Sequence, residues 1–141
     1  MTGAATLGRT DDADVRDLAD LAKRFALEDI APNVSRWDDA GEFPRALYVR
    51  AAALGLTGLG YPEELGGTPA TQRMRNALTL PLARYGASGG VFASLFSHNI
   101  GLPPVLAHGS DAVRAEVTPP VLAGEQIAAL AITEPGGGSD V

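Results

Sequence analysis

The sequence predicts an all-α domain of about six helices, followed at its C-terminal end by one β-strand. Apolar residues recur at helical spacing from Asp11 to Leu122. The 17 glycines and 10 prolines fall between these apolar segments, as punctuation rather than low complexity. A single short run, Ile127–Ile132, is continuously apolar between a glycine turn and a Pro-Gly turn, as in a strand buried on both faces. With 45% apolar and 20% charged residues, 141 residues suffice to bury a core.

Val15, Leu18, Ala22 and Phe25 lie on one face of the first helix, and Asp11, Asp12 and Asp14 complement its N-terminal dipole. Pro32 has no N–H for the Glu28 carbonyl, so a kink near Ala31 is expected, with the helix resuming through Val34 and Trp37. Pro44 begins a second helix that carries Leu47, Ala51 and Leu54 and ends at Gly55. Leu56–Pro62 holds too many glycines for a helix and is expected to form a buried loop, with a turn at Gly66–Pro69.

A third helix runs from Ala70 to Tyr85 through Met74, Ala77, Leu78 and Leu82, kinked by Pro81. Ser88 caps a fourth that carries Val91, Phe92, Leu95 and Phe96. A short fifth, within Gly101–His108, is expected to begin at Pro103-Pro104, and a sixth, capped by Ser110, to be interrupted at Pro119-Pro120.

One strand cannot form a sheet, because its backbone groups need a ladder partner. The expected organisation is therefore a disordered N-terminus at 1–10, a helical domain at 11–124, and at 125–141 the start of a β domain that is truncated here. The other reading is a strand that pairs with another chain.

The net charge is −6, and ten of the 17 Asp/Glu lie within residues 1–42, against five of the 11 Lys/Arg. An acidic helix face is ordinarily just solvated. There is no basic stripe for nucleic acid, and with His98 and His108 as the two histidines and no cysteine, no histidine or thiolate metal site is expected. The absence of cysteine fits a reducing compartment. The N-terminus has no signal-peptide core and no apolar run is long enough to span a membrane, so a cytoplasmic location is the simplest expectation.

Chemistry concentrates at the end of the chain. Thr133-Glu134-Pro135-Gly136-Gly137-Gly138-Ser139-Asp140-Val141 is a strand end leading into a triple-glycine loop with a hydroxyl on each side. Glycines let backbone N–H groups approach a flat ring or a phosphate, and Thr133 and Ser139 can donate to ring heteroatoms or phosphate oxygens. By residue type alone the loop reads first as a flexible turn, and it is neither a Walker loop nor a Rossmann fingerprint.

The string Ala131–Val141 closely resembles the flavin-contacting Thr-Glu-Pro-Gly-x-Gly-Ser-Asp signature of acyl-CoA dehydrogenases. Segments similar to the same family precede it in order: Ile30-Ala31-Pro32 with Trp37-Asp38, Gly41–Pro44, Ala53–Leu56, Tyr61–Gly67, His98-Asn99 and His108-Gly109-Ser110. The resemblance implies a subunit with an N-terminal helical domain, a β domain and a C-terminal helical bundle, with FAD between them. It implies that Thr133 bonds the flavin ring near its hydride-accepting nitrogen, that Leu130 and Ile132 line the flavin, and that Gly138 and Ser139 approach the FAD phosphates. Ser139 would also touch the CoA portion of the substrate, while Glu134 and Asp140 would be structural. Val91, Phe92 and Leu95 would flank the acyl cavity, although ordinary core packing is the simpler account of them.

The reaction so implied is α,β-dehydrogenation of an acyl-CoA thioester to a 2-enoyl-CoA, with FAD as hydride acceptor and an electron-transferring flavoprotein as the next acceptor, in a homo-oligomer. The catalytic base would be a carboxylate of the C-terminal bundle, so no residue of this chain is a candidate. The isolated chain is accordingly expected to be inactive. An acyl-CoA oxidase, a flavin monooxygenase-like relative, or a non-catalytic module completed by a partner subunit are the alternatives. Two departures from the family pattern stand out: Leu80-Pro81 replaces polar residues ahead of Leu82-Ala83-Arg84, and Ala112–Thr118 lacks the usual Lys and Tyr.

Overall fold

Asp11 opens the first helix, its carboxylate accepting the Ala13 N–H at 3.2 Å. In the computed structural model, which describes residues 11–86 and 88–138, α1 spans Asp12–Phe25. The 1–10 segment, Ser139, Asp140 and Val141 lie outside the described residues. One π-helical turn, Ala26–Ile30, follows α1, closed by the Ala31 N–H on the Ala26 carbonyl at 2.8 Å. This is how the chain meets Pro32: the helix widens before the missing donor instead of breaking. The Asn33 N–H bonds the Ile30 carbonyl, and the Asn33 side-chain amide takes the Asp29 carbonyl at 3.2 Å. The helix then resumes as α2, Val34–Ala40, and Gly41 ends it with φ +64°.

Helix α3 covers Arg45–Ala53. The Gly55 N–H bonds the Ala52 carbonyl and the Leu56 N–H the Ala51 carbonyl, a Schellman closure that needs the left-handed glycine at 55, where φ is +74°. The expected buried loop follows. Leu56, Thr57, Leu59 and Tyr61 are all buried, a short 3₁₀ turn covers Glu63–Leu65, and Leu59 pairs with Thr68 in an isolated parallel bridge.

The other four helices are α4 (Gln72–Tyr85), α5 (Gly89–Leu95), α6 (His98–His108) and α7 (Asp111–Leu122). Hydroxyls of Thr71, Ser88 and Ser110 cap α4, α5 and α7. Counted with the resumed segment α2, the described residues hold seven α-helices.

Two expectations about proline are corrected. Pro103-Pro104 does not start α6, which begins five residues earlier at His98, and Pro119-Pro120 does not interrupt α7. An interior proline costs about 3 kcal/mol. The carbonyls these four prolines release belong to Asn99, Ile100, Ala115 and Glu116, all exposed residues where water can serve as donor. Burial of Leu102 in α6 and of Val121 and Leu122 in α7, about 1.5–3 kcal/mol each, returns part of the penalty.

Helices α1 and α4 lie side by side and parallel: Arg73 meets Asp12 at their starts, and Lys23 sits over the Tyr85 ring at their ends. Their apolar faces, with Phe25, Leu78 and Leu82, join Leu47 and Ala51 of α3 and Val91 and Leu95 of α5 in the main core. A smaller core gathers Tyr61, Leu102, Val121 and Leu122.

Residues 127–132, expected as a strand, carry neither helix nor ladder among the described residues, and Ile127, Leu130 and Ile132 are about half exposed. Among the described residues no strand supplies ladder partners, so the strand character of this apolar run is not expressed there.

Candidate functional site

The Leu56–Pro62 loop builds the site because its polar groups are tied to three helices. The Thr57 hydroxyl donates to the Leu122 carbonyl at 2.6 Å. The His98 ring Nε2 donates to the Thr57 carbonyl at 2.9 Å. Burial lowers the His98 pKa from 6.5, with the Thr57 and Leu95 carbonyls acting the other way, so the ring is neutral. The Tyr61 hydroxyl lies 2.9 Å from Asn99 Oδ1 and 3.2 Å from the His98 carbonyl. Its pKa is pushed up to about 12 by burial, against the pull of Arg75, which keeps the phenol protonated as a donor. His98 is thus a satisfied interior histidine that locks the loop to α6.

This bracing leaves a cleft of about 290 Å³ between the loop, α4 and α5, walled by Leu56, Leu59, Leu78, Phe92 and Phe96. The Phe92 and Phe96 rings are stacked at a tilt with centroids 5.2 Å apart. Arg75 and Asn99 stand at its edge and also line an adjoining depression of about 400 Å³ that runs to Pro103 and Leu106. Of the three α5 residues expected beside an acyl cavity, Phe92 faces this cleft, while Val91 and Leu95 are packed into the core.

Phe96 and Arg75 belong to the cleft but do not stand out in the sequence as site residues. Phe96 reads as core, and only its spacing of four from Phe92 hints at a shared face. Arg75 is the cation set among the apolar positions Met74, Ala77 and Leu78, and that contrast is its signal.

The segment carrying the glycine motif is moored to the helical body at three points. Arg45 donates to the Glu125 carbonyl at 2.6 Å, and the Ser97 hydroxyl to the Ala128 carbonyl at 3.0 Å. Gly101 is the third: a Cβ there would come within 3.1 Å of the Ala128 Cβ, so the glycine permits the close approach. Ser97 and Asn99 therefore turn one to the segment and the other to the cleft. Beyond Ala128, Leu130, Ile132 and Thr133 are exposed. The Gly137 N–H closes a turn on the Glu134 carbonyl at 2.9 Å, and a side chain at Gly136 or Gly138 would meet open space. Ser139, the remaining expected contact, is outside the described residues.

Among the described residues no group of three or more acidic or histidine side chains could hold a metal ion, and no helix is long and apolar enough to cross a membrane.

A helical domain with a braced inner loop, an apolar cleft and a moored glycine-rich segment defines the class of structure. Residues 12–125 match the acyl-CoA dehydrogenase N-terminal domain, and the chain belongs to that family. It superposes on a probable acyl-CoA dehydrogenase from Mycobacterium abscessus with a TM-score of 0.85 and 42% identity, covering 93% of this chain and 35% of that one. A structure described as the electron transferring flavoprotein of Acidaminococcus fermentans matches with a TM-score of 0.78 and 25% identity, over 99% of this chain and 35% of that one. Among curated proteins, the 3-(aryl)acrylate reductase of Clostridium sporogenes is 32% identical over 120 residues, 85% of this chain and 32% of that protein. The chain thus spans about a third of the length of the relatives it matches.

Proposed function

We propose that this chain forms the helical wall and one face of the flavin site of an acyl-CoA dehydrogenase that oxidises acyl-CoA thioesters to 2-enoyl-CoA with FAD. The observation that carries the proposal is the layout around α6: a cleft walled by Phe92 and Phe96 on one side, and on the other the segment moored at Ala128 that leads into Leu130–Gly138.

The residues of that segment suit FAD. Leu130 and Ile132 are exposed apolar side chains two residues apart, suited to a flat ring, and Thr133 adds a hydroxyl donor. Gly138 offers backbone without a Cβ, and with Ser139 would hold the phosphates. When bound, FAD supplies the hydride acceptor. The chain's own part is to orient the ring through Thr133, to shield it from water with Leu130 and Ile132, and to hold the acyl group against Phe92, behind which Val91 and Leu95 form the supporting layer. Ser139 also falls to the CoA portion. The proton-abstracting carboxylate is assigned to no residue of this chain. An electron-transferring flavoprotein is the proposed electron acceptor, in keeping with the name of the matching Acidaminococcus protein, and a homo-oligomer in the cytoplasm the proposed setting.

Anaerobic addition of a saturated acyl-CoA to the flavin-loaded subunit that joins this domain to the β domain and helical bundle of the family tests the reading. Loss of the oxidised flavin's visible absorption with formation of enoyl-CoA is expected; no bleaching by a series of acyl-CoA thioesters overturns it. The reductase name of the Clostridium relative favours a second reading, reduction of an α,β-unsaturated substrate. Reoxidation of the reduced flavin by an enoyl thioester, without bleaching by the saturated one, would establish it.

A further inference from the structure

Arg75 has more hydrogen-bonding capacity than its surroundings use. The ion pairs among the described residues are Arg50–Asp29, Arg73–Asp12 and Arg114–Asp111, and Arg75 is in none of them. Its one hydrogen bond there runs from Nη2 to the Gly60 carbonyl at 3.1 Å. A guanidinium carries five N–H donors, so most of the fork is directed to the two clefts that Arg75 lines.

Asn99 is the other residue common to both clefts and adds donors of its own. Its Oδ1 accepts from the Tyr61 hydroxyl, which orients the amide and leaves its NH₂ group as the part able to serve a ligand. Among the described residues neither cleft is lined by an Asp or Glu that would pair with the guanidinium. The rest of the smaller cleft combines an apolar wall of Leu56, Leu59, Leu78 and the two phenylalanines with the uncharged polar residues Thr57, Gln72 and Thr79. A volume of about 290 Å³ is at the lower end of the range for small-molecule sites.

A planar cationic fork and an amide NH₂ at the rim of a small apolar cleft match a ligand with an apolar skeleton and a terminal carboxylate. We propose that the Arg75–Asn99 cleft binds a small carboxylate of this kind, with the carboxylate between the two side chains and the carbon skeleton against Phe92 and Phe96. The bare phosphate ion fits less well, because it would leave the apolar wall uncovered. Where the carboxylate comes from rests on the dehydrogenase reading: in an acyl-CoA dehydrogenase it is the distal carboxylate of a carboxyacyl thioester, whereas a free acid is the other source of the same chemistry.

The binding test needs only this chain, since every residue of the cleft lies within it. ¹⁵N NMR of the 141-residue protein follows the Arg75 Nε–H and Asn99 side-chain NH₂ signals at constant ionic strength. Glutarate is expected to shift both in a saturable way, while 1,5-pentanediol, of the same length without charge, and inorganic phosphate shift them at least tenfold more weakly. Equal response to glutarate and phosphate, or no saturation with glutarate, overturns the proposal. Arg75→Gln is expected to weaken glutarate at least tenfold. Asn99→Asp covers the case in which that variant disturbs the Gly60 loop: it keeps an acceptor for Tyr61 but puts a negative charge in the site. Unchanged affinity in Asn99→Asp overturns the proposal.

Flavin bleaching by glutaryl-CoA against hexanoyl-CoA, in the flavin-loaded subunit that joins this domain to the β domain and helical bundle, then identifies the source. Preference for glutaryl-CoA, lost in Arg75→Gln, supports the thioester. Glutarate binding with no bleaching by either compound leaves the carboxylate site standing with a free acid as its ligand and removes the dehydrogenase reading. Bleaching by hexanoyl-CoA without glutarate binding does the reverse.

Discussion

The Arg75 guanidinium occupies the space into which a side chain at residue 60 would project, and it bonds the carbonyl of that same Gly60. Gly60 sits at φ +90°, where an L-residue is strained, so the backbone requires the glycine, and a side chain there would also displace the flexible end of Arg75 from its hydrogen bond to the Gly60 carbonyl. Gly60→Ala is expected to destabilise the domain by roughly 2–4 kcal/mol in chemical denaturation. Gly55→Ala is the control: its φ of +74° is similar but its Cβ would meet nothing within 4 Å, so the cost should stay near the backbone penalty of about 1–2 kcal/mol. In an Arg75→Ala background the Gly60 cost should fall to the control value; a full cost there would show that Arg75 is not the obstacle.

Stability should depend on pH through His98. Its folded-state pKa lies below 6.5 because burial disfavours the cation. Between that lowered value and 6.5 the unfolded chain binds more protons than the folded one, so stability rises with pH through this window and falls on acidification, by at most about 1.4 kcal/mol per pH unit. His98→Gln, compared with wild type in urea melts from pH 7.5 down to 5, should lose that component of the slope. An identical slope in the variant would mean that His98 does not titrate in this range.

Thr118 is fully buried and its hydroxyl has no hydrogen-bond partner. Burying an unserved hydroxyl costs about 1–3 kcal/mol, and valine has nearly the same shape. Thr118→Val is therefore expected to raise the midpoint of thermal unfolding, with a gain of about 1–2 kcal/mol. A lower midpoint would mean that the hydroxyl is served by water.

What was legible in the sequence follows from how local its causes are. The caps at Ser88 and Ser110, the glycine stop at Gly55 and the disturbance of the helix near Pro32 are each set by a few adjacent residues, and helix existence followed from spacing, whereas the Thr71 cap and the widening into a π turn were found only in the structure. The α6 and α7 prolines misled because tolerance of an interior proline depends on whether the released carbonyl reaches solvent and on what the rest of the helix buries. Both are tertiary facts. The strand at 127–132 is legible as a pattern, yet a ladder needs a partner that local pattern cannot supply. For the site, the glycine motif and Phe92 could be picked from the sequence. The pairing of Arg75 with Asn99 could not, because residues 24 positions apart meet only after the Tyr61 and His98 bonds draw α6 against the loop.

The placement of the Leu130–Thr133 stretch depends on Ser97 and Gly101, four residues apart and so on one face of α6. The Ser97 hydroxyl holds the Ala128 carbonyl, and Gly101 leaves room for the Ala128 side chain. Ser97→Ala removes one neutral hydrogen bond at a partly exposed site, so global stability should change by no more than about 1 kcal/mol. Gly101→Val keeps that donor but fills the space, pushing the segment off the helix. In hydrogen exchange, both variants should speed exchange of the amides at 127–132 while α1 and α4 stay protected, with the larger effect in Gly101→Val. Unchanged exchange at 127–132 in both variants would show that the segment is held by something other than these two contacts, and Arg45 on the Glu125 carbonyl would then be the anchor to remove next.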